Sequence, residues 1–274
     1  MTDKIRKKNV ETVNEHLIIH TLEAKSFTLD RKVKIDLYLP SDFTTSRIKY
    51  PTLILNDGQD ATQLKMTDAL SSCYANGEQK PVVIAVHAGD RMNEYGTAGI
   101  PDYKGRGNKA HLYTAFIMNC LMPYLKRNYR LYKRGCSSAI AGFSLGGLSA
   151  FDIGWKHADA FNKVGVFSGS FWWHRSGQAK NGYMIDRIMH DVVSQTTVKP
   201  ALKFWLEAGT EDEKCDRTNN GVIDAIEDTL DMITELKQLG FEDKDITYLE
   251  IEGGQHNFDT WSEVFPEFLK WCLS

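Results

Sequence analysis

No run of apolar residues in this chain of 274 approaches the roughly 20 that a membrane-spanning helix needs. An excess of one charge is also missing. Lys and Arg number 33 against 36 Asp and Glu, a net charge of −3, which lacks the basic bias of a nucleic-acid binder or a membrane-surface protein. Cysteine is scarce: Cys73, Cys120, Cys136, Cys215 and Cys272 are odd in number and show no CxxC spacing. They read as reduced, mostly buried thiols rather than a disulfide frame or zinc site, and a nucleophilic role is poorly supported. The opening residues MTDKIRKKNVETVNEHLII are basic but contain no h-region and no small-residue cleavage site. A cytoplasmic location is the expectation, although a processed secreted chain would read the same. Repeats, low-complexity tracts and linkers are absent too, so a single domain over 1–274 is expected.

What the chain does contain is alternating strand and helix signals. HLIIHTLEA (16–24) and RKVKIDLYL (31–39) alternate with period two, as half-exposed antiparallel strands do. Later strands are continuous apolar runs: TLILN (52–56), PVVIAVH (81–87), SAIAGF (138–143), VGVFS (164–168), LKFWLEAG (202–209) and ITYLEIE (246–252). Such runs belong to strands covered by helices on both sheet faces. Helical patterns fall at 62–75, 109–127, 145–157, 221–239 and 261–272. The expected fold is therefore α/β, a mostly parallel doubly wound sheet with antiparallel N-terminal strands. The aperiodic segments 88–110 and 169–183 are the loops expected at the ligand crevice, beyond the carboxyl ends of the strands.

At GFSLG (142–146) an apolar strand stops at a serine between glycines and a helix begins. This matches G-x-S-x-G in the strand–turn–helix context that the motif requires. Glycine at 142 and 146 removes side chains that would collide with the neighbouring strand and helix, and the turn lifts the Ser144 hydroxyl to the helix N-terminus. The N–H of Leu145 can there face a developing oxyanion. A serine-first hydrolase continues with an acid and then a histidine. The acidic turn after LKFWLEAG supplies Glu211, Asp212 and Glu213, of which Asp212 is favoured, and the Gly-rich loop GGQHNFDTW supplies His256. Among the other histidines, His157 and His190 read as surface positions, His16 and His20 lie in the first strand, and His174 follows two tryptophans. A second oxyanion donor is expected after TLILN, where Gly58 permits close backbone approach and the next N–H belongs to Gln59.

With these pieces the chain resembles the esterase family of α/β-hydrolases that includes enterochelin esterases, feruloyl and acetylxylan esterases, S-formylglutathione hydrolases and mycolyltransferases. The resemblance runs from about residue 16 to 272, on LNDGQ (55–59), DRMNEYG (90–96), GFSLGG (142–147), FSGSFWW (167–173), EAGTEDE (207–213) and GGQHNFDTW (253–261). It implies an α/β-hydrolase fold, Ser144 as nucleophile, His256 as base, Asp212 as acid, and the N–H groups of Leu145 and Gln59 as oxyanion hole. Some siderophore-side relatives work with a Ser–His pair and little help from an acid. Arg91, Glu94, Tyr95, Trp172 and Trp173 are the substrate-binding candidates, the tryptophans as a stacking platform or as core. The basic residues near the expected mouth (Arg91, Lys104, Arg106, Lys109, Arg175) are few for a highly anionic iron complex.

The expected activity is hydrolysis of a carbohydrate-linked acyl or feruloyl ester, or of a siderophore-type lactone, through an acyl-enzyme. Acyl transfer of the mycolyltransferase type and a catalytically silent glycan-binding module are the alternatives. Catalysis needs no cofactor, and neither nucleic acid nor membrane is an expected partner. One feature stands apart. DRTNNGVIDAIE (216–227) fits a calcium-loop template, with oxygens on Asp216, Thr218, Asn220, Asp224 and Glu227 and glycine at the sixth position. The competing explanation is an Asn-Gly turn capping the following helix.

Overall fold

A computed structural model describes residues 3–76, 79–132, 137–176, 179–180, 183–184 and 186–274. Cys136 and part of the 169–183 loop lie outside the described residues; the other four cysteines are free thiols. Nine strands form the main sheet: β1 (Lys4–Thr12), β2 (Leu17–Ser26), β3 (Arg31–Pro40), β4 (Thr52–Asn56), β5 (Val82–Val86), β6 (Ser138–Phe143), β7 (Lys163–Phe167), β8 (Lys203–Glu211) and β9 (Ile246–Gln255). Their spatial order is β1-β2-β3-β5-β4-β6-β7-β8-β9. Strands β1, β2, β3 and β5 pair antiparallel in turn, and every pairing from β5 across to β9 is parallel.

Helices cover both faces. They are α1 (Met66–Asn76), α2 (Arg91–Glu94), α3 (Ala110–Phe116), α4 (Met122–Asn128), α5 (Leu145–Lys156), α6 (Ile188–Ser194), α7 (Asp224–Gln238) and α8 (Phe258–Leu273), with a π-turn over Ile117–Leu121 joining α3 to α4. The buried runs of β4, β5, β6 and β7 follow from this double cover. Helix α5 is buried from Leu145 to Trp155, which explains why its sequence is apolar nearly all round. On the other face α8 packs its Phe265 and Phe268 on Phe167 of β7, with ring centroids 6.4 and 5.1 Å apart. That packing anchors α8, whose N-cap Asn257 follows directly on His256.

Candidate active site

Ser144 lies between β6 and α5 with φ 54° and ψ −123°, a left-handed conformation that L residues avoid. Glycine at two neighbouring positions gives this turn its room. A side chain at 142 would fall on the Gly146 carbonyl, and one at 146 would lie 2.6 Å from the Asp57 carboxylate. Glycine at 146 thus makes room for the loop after β4 rather than for a strand. That loop is fastened to the turn by Asn56, whose Nδ2 donates to the Gly146 carbonyl at 2.8 Å while its Oδ1 accepts from the Tyr113 hydroxyl at 2.7 Å. The Arg91 guanidinium completes the link. It grips Asp57 through two bonds of 2.8 and 2.9 Å and donates to the Phe143 carbonyl at 3.2 Å.

Among the described residues the main-chain N–H groups of Leu145 and Gln59 donate to no protein acceptor, so both are available to an external oxygen. The Gln59 side chain is occupied: Nε2 donates to Asp57 and Asp60, and Oε1 accepts from the Ala88 amide.

His256 reaches the same place from β9. Asn257 caps α8 by accepting from the Thr260 amide at 3.1 Å, and the Gln255 amide donates to Thr260 Oγ1 at 2.8 Å. The imidazole between them meets the Trp261 ring edge-on, centroids 5.2 Å apart. Its Nδ1 lies 3.9 Å from Asp212 Oδ2, and the Asp212 side chain is fully buried while that of His256 is 40% exposed. Asp212 is the acid of 211–213 that approaches this histidine. Glu211 instead accepts from Gln255 at 3.2 Å, and burial together with Asp224 pushes the Glu213 carboxyl up. Ser144 and His256 line one pocket of about 540 Å³, with Asp57, Asp60, Arg91 and Asp259 also in its wall. Within that pocket Ser144 Oγ sits 3.4 Å from Ser170 Oγ, and no hydrogen bond joins it to the imidazole.

The remaining sequence candidates separate. Arg91 lines the pocket, but Glu94 and Tyr95 are buried beneath it. Glu94 is the ion-pair partner of Arg31 at 2.6 Å, and the Tyr95 hydroxyl accepts from the Asp57 amide at 3.0 Å. Both shape the loop and leave the pocket wall to others. Trp173 is buried and Trp172 half-buried, with the Arg106 guanidinium over their rings at 4.9 and 5.4 Å. Neither lines the Ser144 pocket. His190 is a buried residue rather than a surface one. Helix α6 turns it onto α7, where Nε2 bonds the Asp228 carbonyl at 3.0 Å, and burial lowers its proton affinity to about 3.

The 216–227 loop holds its own cation. Arg217 reaches inward to Asp228, Asp224 and Glu227. Glu227 Oε1 also accepts from Thr218 and Asn220, and the Asp216 carboxylate accepts from the amides of Asn220 and Gly221. Among the described residues no group of three or more acidic, His or Cys side chains is arranged for a metal. The oxygens that the calcium template counts are engaged by a guanidinium and by a capping turn. Sequence reasoning also passed over Asp57, Asp60, Ser170 and Asp259, because a carboxylate or hydroxyl in a loop carries no periodic signal.

Residues 26–272 match the model of the family described as "Putative esterase". The chain belongs to that family. By membership it is a carboxylic ester hydrolase. The chain is 22% identical over 242 residues to the Bacillus subtilis (strain 168) protein YbbA, covering 87% of this chain and 91% of that one. It is 33% identical over 103 residues to the iron(III) enterobactin esterase of Escherichia coli (strain K12), 37% of this chain and 24% of that protein. Among solved structures, a ferulic acid esterase superposes with a TM-score of 0.70 at 17% identity, covering 94% and 98% of the two chains. The Shigella flexneri enterobactin esterase, crystallised in the presence of enterobactin, gives 0.68 at 19% identity, covering 93% of this esterase and 58% of that chain. These likenesses establish the α/β-hydrolase fold, in agreement with the sheet order.

Proposed function

We propose that this esterase cleaves its substrate through an acyl-enzyme on Ser144, with His256 as general base and acid and Asp212 as the carboxylate behind it. The observation that carries the reading is the meeting of three chain segments. A strained serine at a helix N-terminus and an imidazole line one pocket, and the imidazole turns Nδ1 toward a buried carboxylate. Nε2 is then the nitrogen left to take the serine proton. The reaction requires Ser144 Oγ to rotate from Ser170 toward His256 as substrate enters. The oxyanion would lie between the N–H groups of Leu145 and Gln59. Collapse of the tetrahedral adduct passes the imidazolium proton to the leaving alcohol, and water repeats the sequence to release the acid. An imidazole that is 40% exposed is open to water, which favours hydrolysis over transfer to another alcohol.

The charges around the pocket favour a substrate with little negative charge. Arg91 is paired with Asp57, Arg106 with Asp102, Lys109 with Asp90 and Arg175 with Asp191, while Asp60 and Asp259 add acid to the wall. A highly anionic iron complex would find few free cations there. A carbohydrate-linked acyl or feruloyl ester suits the pocket better. A panel of acetyl, feruloyl, thioester and trilactone substrates, with S144A as the blank, tests both parts. Neutral aryl and sugar esters are expected to be cleaved fastest. Retained hydrolysis in S144A would overturn the mechanism, and preference for the trilactone would overturn the substrate class.

A further inference from the structure

A second carboxyl group lies behind the proposed acid. Glu207 of β8 is 1% exposed, and among the described residues the side-chain partner of its carboxyl is Ser168, whose Oγ donates to Oε2 over a long 3.5 Å. Among the described residues Glu207 Oε1 and both oxygens of Asp212 are buried without a hydrogen-bond partner. The two side chains share one space. Residues 207 and 209 face the same side of β8, and an added Cβ on Gly209 would lie 2.9 Å from Asp212 Oδ1. The Asp212 carboxylate therefore occupies the room left by the missing side chain, beside Glu207. Among the described residues no lysine or arginine pairs with either group. Two desolvated carboxylates without a cation cannot both stay ionised.

We propose that Glu207 is a positioning residue that keeps its proton at neutral pH, so that the pair carries one negative charge and that charge rests on Asp212, facing His256. This rests on the reading of Asp212 as the acid. The neighbours divide accordingly. Asp212 faces the imidazole, the group that becomes cationic in the reaction. Glu207 faces Ser168, whose Oγ accepts the Trp261 indole N–H at 2.9 Å and reaches Glu207 through a long bond of 3.5 Å, which opposes the Glu207 proton but does not outweigh burial. Trp261 in turn packs on the His256 ring. From β9 the Tyr248 hydroxyl, bonded to Glu250 at 3.0 Å, also lies within electrostatic reach, and it is held neutral mainly by burial. Burial first and the Asp212 charge second push the Glu207 carboxyl up to about 8.

The folded chain holds the Glu207 proton up to about pH 8, while an unfolded glutamate releases it near its ordinary value of 4.5. Between those limits the folded state binds more protons, so this group makes the esterase less stable as pH rises. Glu207→Gln, a permanent mimic of the protonated form, lacks that loss. The gap, taken as the melting temperature of E207Q minus that of wild type, should rise from about pH 4.5 to about pH 8 and stay level above. Melts are run in the S144A background, which keeps them independent of turnover. A gap that is flat or falls with pH would overturn the proposal. In kinetics, E207Q should hold kcat/KM within about threefold of wild type at pH 7. Above about pH 8 wild type should decline, as the newly charged Glu207 pushes Asp212 from its place, and E207Q should not. Superimposable pH profiles would contradict it. If E207Q fails to fold, Glu207→Met, equally unable to ionise, is read in the same way. Should D212N keep full activity, the catalytic reading of Asp212 fails while the melts still report the Glu207 proton.

Discussion

Replacing Asp212 by asparagine separates the electrostatic role of this acid from its packing. The amide keeps the shape and removes the charge that faces His256. Two unit charges 3.9 Å apart attract by roughly 1 kcal/mol in water and about 4 kcal/mol at an effective dielectric near 20. The carboxylate is fully buried but the imidazole is 40% exposed, which places the loss between those limits, at about 2–3 kcal/mol in the transition state. At about 1.4 kcal/mol per decade this is a fall in kcat/KM of roughly 30- to 150-fold. Stability should move the other way. Both Asp212 oxygens lack hydrogen-bond partners among the described residues, so the substitution removes a desolvated charge without breaking a bond, and the melting temperature should hold or rise by a few degrees. The assay is steady-state hydrolysis of a nitrophenyl ester beside a thermal melt, with Glu211→Gln as the control expected to behave as wild type. A D212N rate within threefold of wild type would show that the Asp212 charge does not stabilise the imidazolium.

Gly146→Ala sets a methyl group 2.6 Å from Asp57 Oδ2, a carboxylate that Arg91 prevents from retreating. Overpacking of this kind costs about 1–3 kcal/mol, and shifting the Gln59 amide should lower kcat at least tenfold with little change in KM; unchanged kcat would contradict the tie between this loop and the turn. Arg91→Met leaves the buried Asp57 carboxylate, among the described residues, with the Gln59 side chain alone, at a cost of about 2–3 kcal/mol, reduced by the partial exposure of Arg91, so melts should show a clear drop in Tm. His190 is neutral when folded, with its proton affinity lowered from 6.5 to about 3. The unfolded chain binds the extra proton across that window, so wild type loses stability as pH falls through it, and H190Q should lose less. Equal acid sensitivity in the two proteins would count against the buried neutral imidazole.

The parts of this esterase that announce themselves in sequence are those whose neighbours are set by local geometry. TLILN and SAIAGF coincide with β4 and β6 residue for residue, because strands covered on both faces are apolar throughout. The GFSLG turn is legible for a related reason: glycine stands where the backbone or a carboxylate approaches too closely for a side chain. Strand β1 escaped because KIRKKNVET has no residue fully buried and thus no buried face to betray its period. In DRMNEYG the motif reads as one unit, yet one side chain reaches the pocket while two support it from below. The 216–227 loop shows the limit most clearly. Its acids match a calcium template, but whether a neighbouring arginine turns inward is decided by α7 and the packing behind it. The signal for Glu207 was present as a lone acid inside an apolar run. Its meaning depends on Asp212, which the strand bulge at Gly209–Glu211 brings back toward it.

A covalent acyl group on the residue 144 oxygen can be caught during turnover. The esterase is mixed with a slowly deacylating ester, quenched in acid within the first turnover and examined by intact and peptide mass spectrometry. The peptide carrying Ser144 should gain a mass equal to one acyl group, absent from S144A. An unmodified Ser144 peptide during active turnover, or an adduct on another residue, would contradict the acyl-enzyme.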